Sequence, residues 1–146
     1  MKLENQVCSL ELAKQLKELG VKQKGLFSWF HWWEGSSDEL AGKDLVMMAE
    51  HNHDSVMFVC SAFTVAELGE ILPEEVKTEE LDFHFRTKKR KDNHWIVKYV
   101  GRKGSGTSFR YNSLKKNCEG EKGKTEADAR AKMLIYLLEN NLIKNK

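Results

Sequence analysis

From Leu81 to Arg86 the chain reads Leu-Asp-Phe-His-Phe-Arg, apolar and polar residues alternating without a fault. Successive side chains of a strand point to opposite faces, so Leu81, Phe83 and Phe85 are expected inward and Asp82, His84 and Arg86 outward. A turn through Arg90-Lys91-Asp92-Asn93 leads to His94–Val100, which places Trp95, Val97 and Tyr99 on one face. Gly101 to Gly106 reads as a loop, Ser108-Phe109-Arg110-Tyr111 as a third short strand, and Leu114 to Lys124 as loop again. An antiparallel sheet with one apolar face must bury that face against another layer.

The flanking segments supply the cover. Thr64 and Glu67 have the spacing of a capping box, with Phe63 placed to staple onto Leu68. That helix, about 64–72, runs through Leu68, Ile71 and Leu72 until Pro73 forbids propagation. A second helix, about 125–140, starts at Thr125 with Asp128 three positions on, and repeats Ala127, Ala131, Leu134 and Leu138, with Met133 and Leu137 beside them. Glu126–Arg130 and Asp128–Lys132 are i,i+4 pairs in the favourable order. Near the start, Ser9 as N-cap, Leu12, Leu16 and Leu19 as an apolar stripe and Gly20 as stop spell an N-terminal helix. The fold class is therefore α+β: an antiparallel sheet carrying an N-terminal, a middle and a C-terminal helix, which together bury Leu81, Phe83, Phe85, Trp95, Val97, Tyr99, Phe109 and Tyr111.

With 146 residues, a single domain spanning 1–146 is expected, an N-terminal helix and Trp-rich hairpin (1–60) followed by an αβββα-like unit (61–146). The hairpin reading rests on Leu26–Trp33, where Trp29, Trp32 and Trp33 crowd together, followed by Gly35-Ser36-Ser37-Asp38 and the apolar run Leu45–Met48. Those three tryptophans fill a core or, if exposed, make an interaction patch. No run approaches the ~18 apolar residues of a membrane span, and the first residues lack a signal-peptide core, so a cytoplasmic protein without a membrane partner is expected. Cys8, Cys60 and Cys118 are odd in number and widely spaced, which argues against a disulfide framework.

Net charge is only +2, but it is unevenly spread. Residues 1–85 carry 7 Lys/Arg against 16 Asp/Glu, whereas residues 86–124 carry 13 against 3. Such a chain either complements itself or offers a basic surface to a polyanion.

Ser61–Pro73 before the sheet, Thr125–Asn140 after it and Val7–Glu11 at the start resemble a group of small phage and prophage proteins of bacteria, of an α+β sandwich type. The resemblance implies an α+β domain encoded on a mobile element. That group has no assigned catalytic residues, so it implies no site.

Constellations with chemistry are few. Glu50-His51-Asn52-His53-Asp54 contains the letters of an HNH nuclease, but consecutively, whereas those enzymes place them on separate parts of a metal-binding unit. His51 and His53 would share a strand face and need a third ligand, such as His31 or Cys60, to hold a metal. Cys8 and Cys60 sit in apolar segments and read as packing residues. Gly101–Thr107 lacks the Gly-Lys-Ser/Thr order of a phosphate loop and precedes a strand. Glu74-Glu75 and Glu79-Glu80 flank a turn as solvated surface. No catalytic residue, metal ligand or cofactor is expected.

The basic sheet is the exception. Arg86, Lys88, Lys98 and Arg110 are expected on its outer face, with Lys89, Arg90 and Lys91 at the turn; together these seven cations could neutralise phosphates. The order helix, three strands, helix is similar to that of the double-stranded RNA-binding domain, with Lys122-Gly123-Lys124 at the entry to the last helix. Glu126 and Asp128 depart from that pattern, and Glu67, Glu70, Glu74 and Glu75 make the middle helix acidic. The expectation is a non-enzymatic accessory or binding protein with a protein or nucleic-acid partner. The alternatives are a nucleic-acid-binding module using residues 86–124 and a metal-dependent nuclease around His51 and His53.

Overall fold

The computed structural model describes residues 5–32, 43–47, 56–105, 108–114 and 120–144. Ser9 stands at the N-cap of α1 (Leu10–Glu18), yet its hydroxyl makes no capping bond. The bond at this end comes from across the molecule, where the Ser9 backbone N–H donates to Asp128 Oδ1 at 2.8 Å. Leu12, Ala13 and Leu16 form the buried stripe of α1, and Gly20, at φ 82°, turns the chain out of it.

A three-stranded antiparallel sheet follows, with β1 (Phe27–Trp32) between β2 (Lys43–Met47) and β3 (Val56–Ala62). The β1–β2 pair is the hairpin that the tryptophan-rich run led us to expect. Ser28 and Ser61 face each other in its β1–β3 ladder, and both are fully buried. A register shift between Trp29 and Phe30 then turns the end of β1. Trp29 is half-buried against the core, and Phe30 is buried and meets Phe58 edge-to-face. The side chain of Trp32 and all of Trp33 lie outside the described residues.

Helix α2 (Val65–Ile71) carries the full capping box. Thr64 Oγ1 accepts the Glu67 N–H, and Glu67 Oε2 accepts the Thr64 N–H at 2.8 Å. Glu67 does more than cap, because its Oε1 also accepts the Leu26 N–H at 2.6 Å and so ties α2 to the start of β1. Pro73 ends the helix as expected, and its carbonyl accepts the Tyr99 hydroxyl.

The second sheet has the order β4–β5–β6–β7, with β8 also on β6. Its strands are β4 (Glu75–Lys77), β5 (Asp82–Lys89), β6 (Trp95–Ser105), β7 (Ser108–Ser113) and β8 (Glu121–Gly123). The long β6 has β5 on one edge and shares its other edge between β8, opposite Trp95–Val97, and β7, opposite Val100–Ser105. Neither β4 nor β8 was expected, and β8 falls where the sequence reads as loop. Each is three residues long, too short for alternation to show. Gly123 is fixed there by contact: a Cβ on it would lie 2.5 Å from the Ala129 nitrogen and 2.7 Å from the Thr125 carbonyl.

Alternation holds over Asp82–Arg86 of β5 and along β6, while Thr87 and Lys89, of inner-face parity, are exposed. Phe83, Val97 and Tyr99 are buried, and Leu81, Phe85 and Trp95 are half-buried against the same cluster. Phe109 and Tyr111 belong to β7, but their side chains lie outside the described residues. Helix α3 (Glu126–Glu139) covers the inner face, packing on β6 and β8 as well as on α1 and α2. Its alanines at 127, 129 and 131 are fully buried, which lets the helix approach the sheet closely. Thr125 caps it by accepting the Asp128 N–H. Arg130 bonds Glu126 Oε1 at 2.7 Å, as the spacing led us to expect, and its guanidinium lies 5.2 Å from the Phe85 ring centre. The expected Asp128–Lys132 pair gives way to other partners: Asp128 accepts from Ser9, and Lys132 donates to the Lys122 carbonyl at 2.8 Å. At the other end, Asn141 adopts φ 53°, with Asn141 N–H bonded to Leu138 O and Leu142 N–H to Leu137 O. This is a Schellman turn, and it folds Leu142 and Ile143 back onto the body.

One apolar cluster runs from Cys8, Leu12 and Leu16 through Cys60, Phe63 and Leu68 to Val97, Tyr99, Leu134 and Leu137. Among the described residues no helix is long and apolar enough to cross a membrane.

Candidate polyanion-binding surface

With α3 on the inner face of the second sheet, the residues of opposite parity define its outer face. The β5–β6 register puts Arg86 directly opposite Lys98, with Lys88 opposite Ile96 in the next row. On the far side of Ile96 stands Lys122 of β8, so that row reads Lys88, Ile96, Lys122. Like charges directly opposed on one face destabilise a sheet. Arg86, Lys88 and Lys122 are exposed and Lys98 is half-buried. The reading of Lys122 as part of a loop concealed its place in this row.

Charge changes sign along the face. At the start of β5, His84 and Arg86 border a depression of about 660 Å³ with Glu79, Glu80 and Asp82. Glu75 pairs there with Lys77 at 3.7 Å and approaches His84 at 4.0 Å. Toward the β5–β6 turn the acids thin out and the cations accumulate.

The turn is built by its own hydrogen bonds. Arg90 N–H donates to His94 O at 2.8 Å and Asn93 N–H to Arg90 O at 3.1 Å, with Asn93 at φ 62°. Asparagine tolerates that left-handed conformation better than most residues. The Asp92 carboxylate accepts the His94 N–H at 3.2 Å, which holds its pKa below the ordinary carboxylate value. This arrangement leaves Arg90 and Lys91 exposed at the tip. Lys89 has inner-face parity and lies over the half-buried Trp95, 6.0 Å from its ring centre. Arg110 pairs with Lys103 between β6 and β7, and its side chain is outside the described residues. Thus Arg86, Lys88 and Lys98 are brought together, Arg90 and Lys91 extend the surface, and Lys89 sits around the sheet end.

The acids that depart from the RNA-binding pattern are largely engaged within the fold. Glu126 is held by Arg130, Asp128 accepts from Ser9, and both oxygens of Glu67 accept backbone N–H groups. Glu70 and Glu74 remain exposed. Inward placement of Trp95 and Tyr99 removes these two aromatics as base-stacking platforms on the outer face.

The candidate chemical constellations find little here. His51, Asn52 and His53 lie outside the described residues, as does the side chain of His31. Among the described residues no group of three or more His, Cys, Asp or Glu could hold a metal. Cys8 and Cys60 are fully buried free thiols. Burial pushes the Cys8 pKa up to about 12 and raises that of Cys60, so neither is poised as a thiolate. Gly101–Ser105, which the sequence reads as loop, instead continues β6 because it pairs with β7, and it leads into that strand, not into a helix N-terminus. Of the acidic doublets, Glu74, Glu79 and Glu80 are exposed. No family model matches the chain, and no curated protein or solved structure matches it either.

Proposed function

We propose that the protein is a non-enzymatic binding protein whose ligand is the phosphate backbone of a nucleic acid, gripped by the outer face of the second sheet and the β5–β6 turn. The observation that carries this reading is the opposition of Arg86 and Lys98, with Lys88 and Lys122 in the adjoining row. A bound polyanion would relieve the mutual repulsion of Arg86, Lys88 and Lys98 further than screening by dilute salt does. The contacts are to phosphate, so duplexes are expected to be bound with little sequence preference. An accessory role on a mobile element, acting in the cytoplasm, is part of the same proposal and rests on the resemblance of the sequence motifs alone.

Titration of fluorescent duplex DNA, duplex RNA and single strands across a salt series tests the proposal. With about three phosphates neutralised, affinity should fall about fortyfold between 50 and 200 mM salt. Arg86→Glu combined with Lys88→Glu should flatten that dependence and weaken binding. An absence of binding to all three probes at low salt removes the proposal.

A further inference from the structure

A second feature lies among the helices. Between the segment after α1, helix α2, helix α3 and the folded-back tail is a cavity of about 300 Å³. Its walls are Val21, Phe63, Ile71, Leu134, Leu138 and Ile143. Of these, Ile71, Leu138 and Ile143 are only half-buried, so the apolar wall is left partly uncovered. The volume is at the lower end of the range for small-molecule sites, which are apolar with a few convergent polar groups.

The rim supplies those groups. Lys22, Lys24 and Lys144 border the opening with Glu67 and Glu70. Glu67 is already committed, accepting the Leu26 N–H through Oε1 and the Thr64 N–H and hydroxyl through Oε2. Glu70 is exposed, so with Glu67 two carboxylates face three ammonium groups and the rim carries a net positive charge of one. The rim therefore favours an anion, and the walls favour a hydrocarbon body.

We propose that this cavity binds a free, single-chain aliphatic carboxylate, with its chain between α2 and α3 and its head among Lys22, Lys24 and Lys144. The Schellman turn at Asn141 sets Ile143 and Lys144 in place, so the tail contributes both wall and charge. The site stands independently of the nucleic-acid surface.

Isothermal titration of the full chain with decanoate tests it, with decyltrimethylammonium as the cationic counterpart of similar chain length. Saturable binding of one decanoate, at least about tenfold tighter than the cation, is expected. Ile71→Trp should fill the cavity and abolish binding. Lys22→Glu with Lys144→Glu, at exposed positions that leave the fold intact by circular dichroism, should weaken it about tenfold or more. The proposal is overturned by absence of decanoate binding, by equal binding of the cation, or by decanoate affinity unchanged in the folded lysine variant. Sedimentation of the protein with phosphatidylglycerol vesicles in the absence of decanoate binding would assign the basic rim to a lipid surface and likewise overturn it.

Discussion

The Asp128 carboxylate of α3 accepts the backbone N–H of Ser9, so the first turn of the last helix closes the start of the first. The two residues are 119 positions apart. The serine hydroxyl, which the sequence marks as the cap, makes no such bond. Asp128→Ala should therefore cost about 0.5–2 kcal/mol, the usual range for loss of a capping interaction. Ser9→Ala should stay within about 0.5 kcal/mol, as surface changes away from special features do. Urea unfolding of both variants measures the contrast, and equal losses would show that the serine, not the aspartate, holds this end.

Lys98 stands opposite Arg86, so replacing it by glutamate turns a repulsive pair into an attractive one. Lys98→Glu should raise stability by about 0.2–1 kcal/mol while weakening nucleic-acid binding. Thermal unfolding and the salt titration, run on the same variant, should move in opposite directions.

Ser28 is fully buried, and among the described residues its hydroxyl has no hydrogen-bond partner. No hydrogen bond to a described protein group offsets the burial of this hydroxyl, so Ser28→Ala is expected to be neutral or stabilising by up to about 1 kcal/mol. The Trp29 indole N–H is likewise buried without a partner among the described residues. Chemical denaturation of Ser28→Ala provides the check, and a loss above about 1 kcal/mol would mean that the hydroxyl is bonded after all.

The buried Cys8 thiol supplies a pH dependence. Its pKa rises from an ordinary value near 9 to about 12 in the folded chain, chiefly through desolvation. The folded state thus holds the proton more tightly than the unfolded state. This contribution is fully present below about pH 9 and is lost as pH climbs toward 12, at up to about 1.4 kcal/mol per pH unit. Tyr99, also raised by burial, acts in the same direction. Comparing urea midpoints at pH 8 and 10.5 for the wild type and Cys8→Ala isolates the thiol, and the variant should lose less stability.

How much of this was legible in the sequence depended on how local each signal is. The capping box of Thr64 and Glu67, the stop at Pro73 and the alternation through Leu81–Arg86 involve neighbours along the chain, and the structure has all three. The outward placement of Arg86, Lys88 and Lys98 follows from the same alternation. That Arg86 is opposite Lys98 depends on register, which the turn at Arg90–His94 sets. Asp128 pointed by spacing to Lys132 but bonds Ser9, because a tertiary partner outcompeted an exposed ion pair. Strands β4 and β8 have too few residues for a period. The cavity was out of reach altogether, since its walls come from four separated segments.

Gly123 has a practical bearing on redesign of the basic segment. Its neighbours Lys122 and Lys124 are both exposed, so a mutational library could vary charge at either side. The glycine between them has no such latitude, because even a methyl group would run into the main chain of α3's opening turn. A library randomised across all three positions would be emptied by one of them, and selection for tighter or looser ligand grip should keep that codon constant.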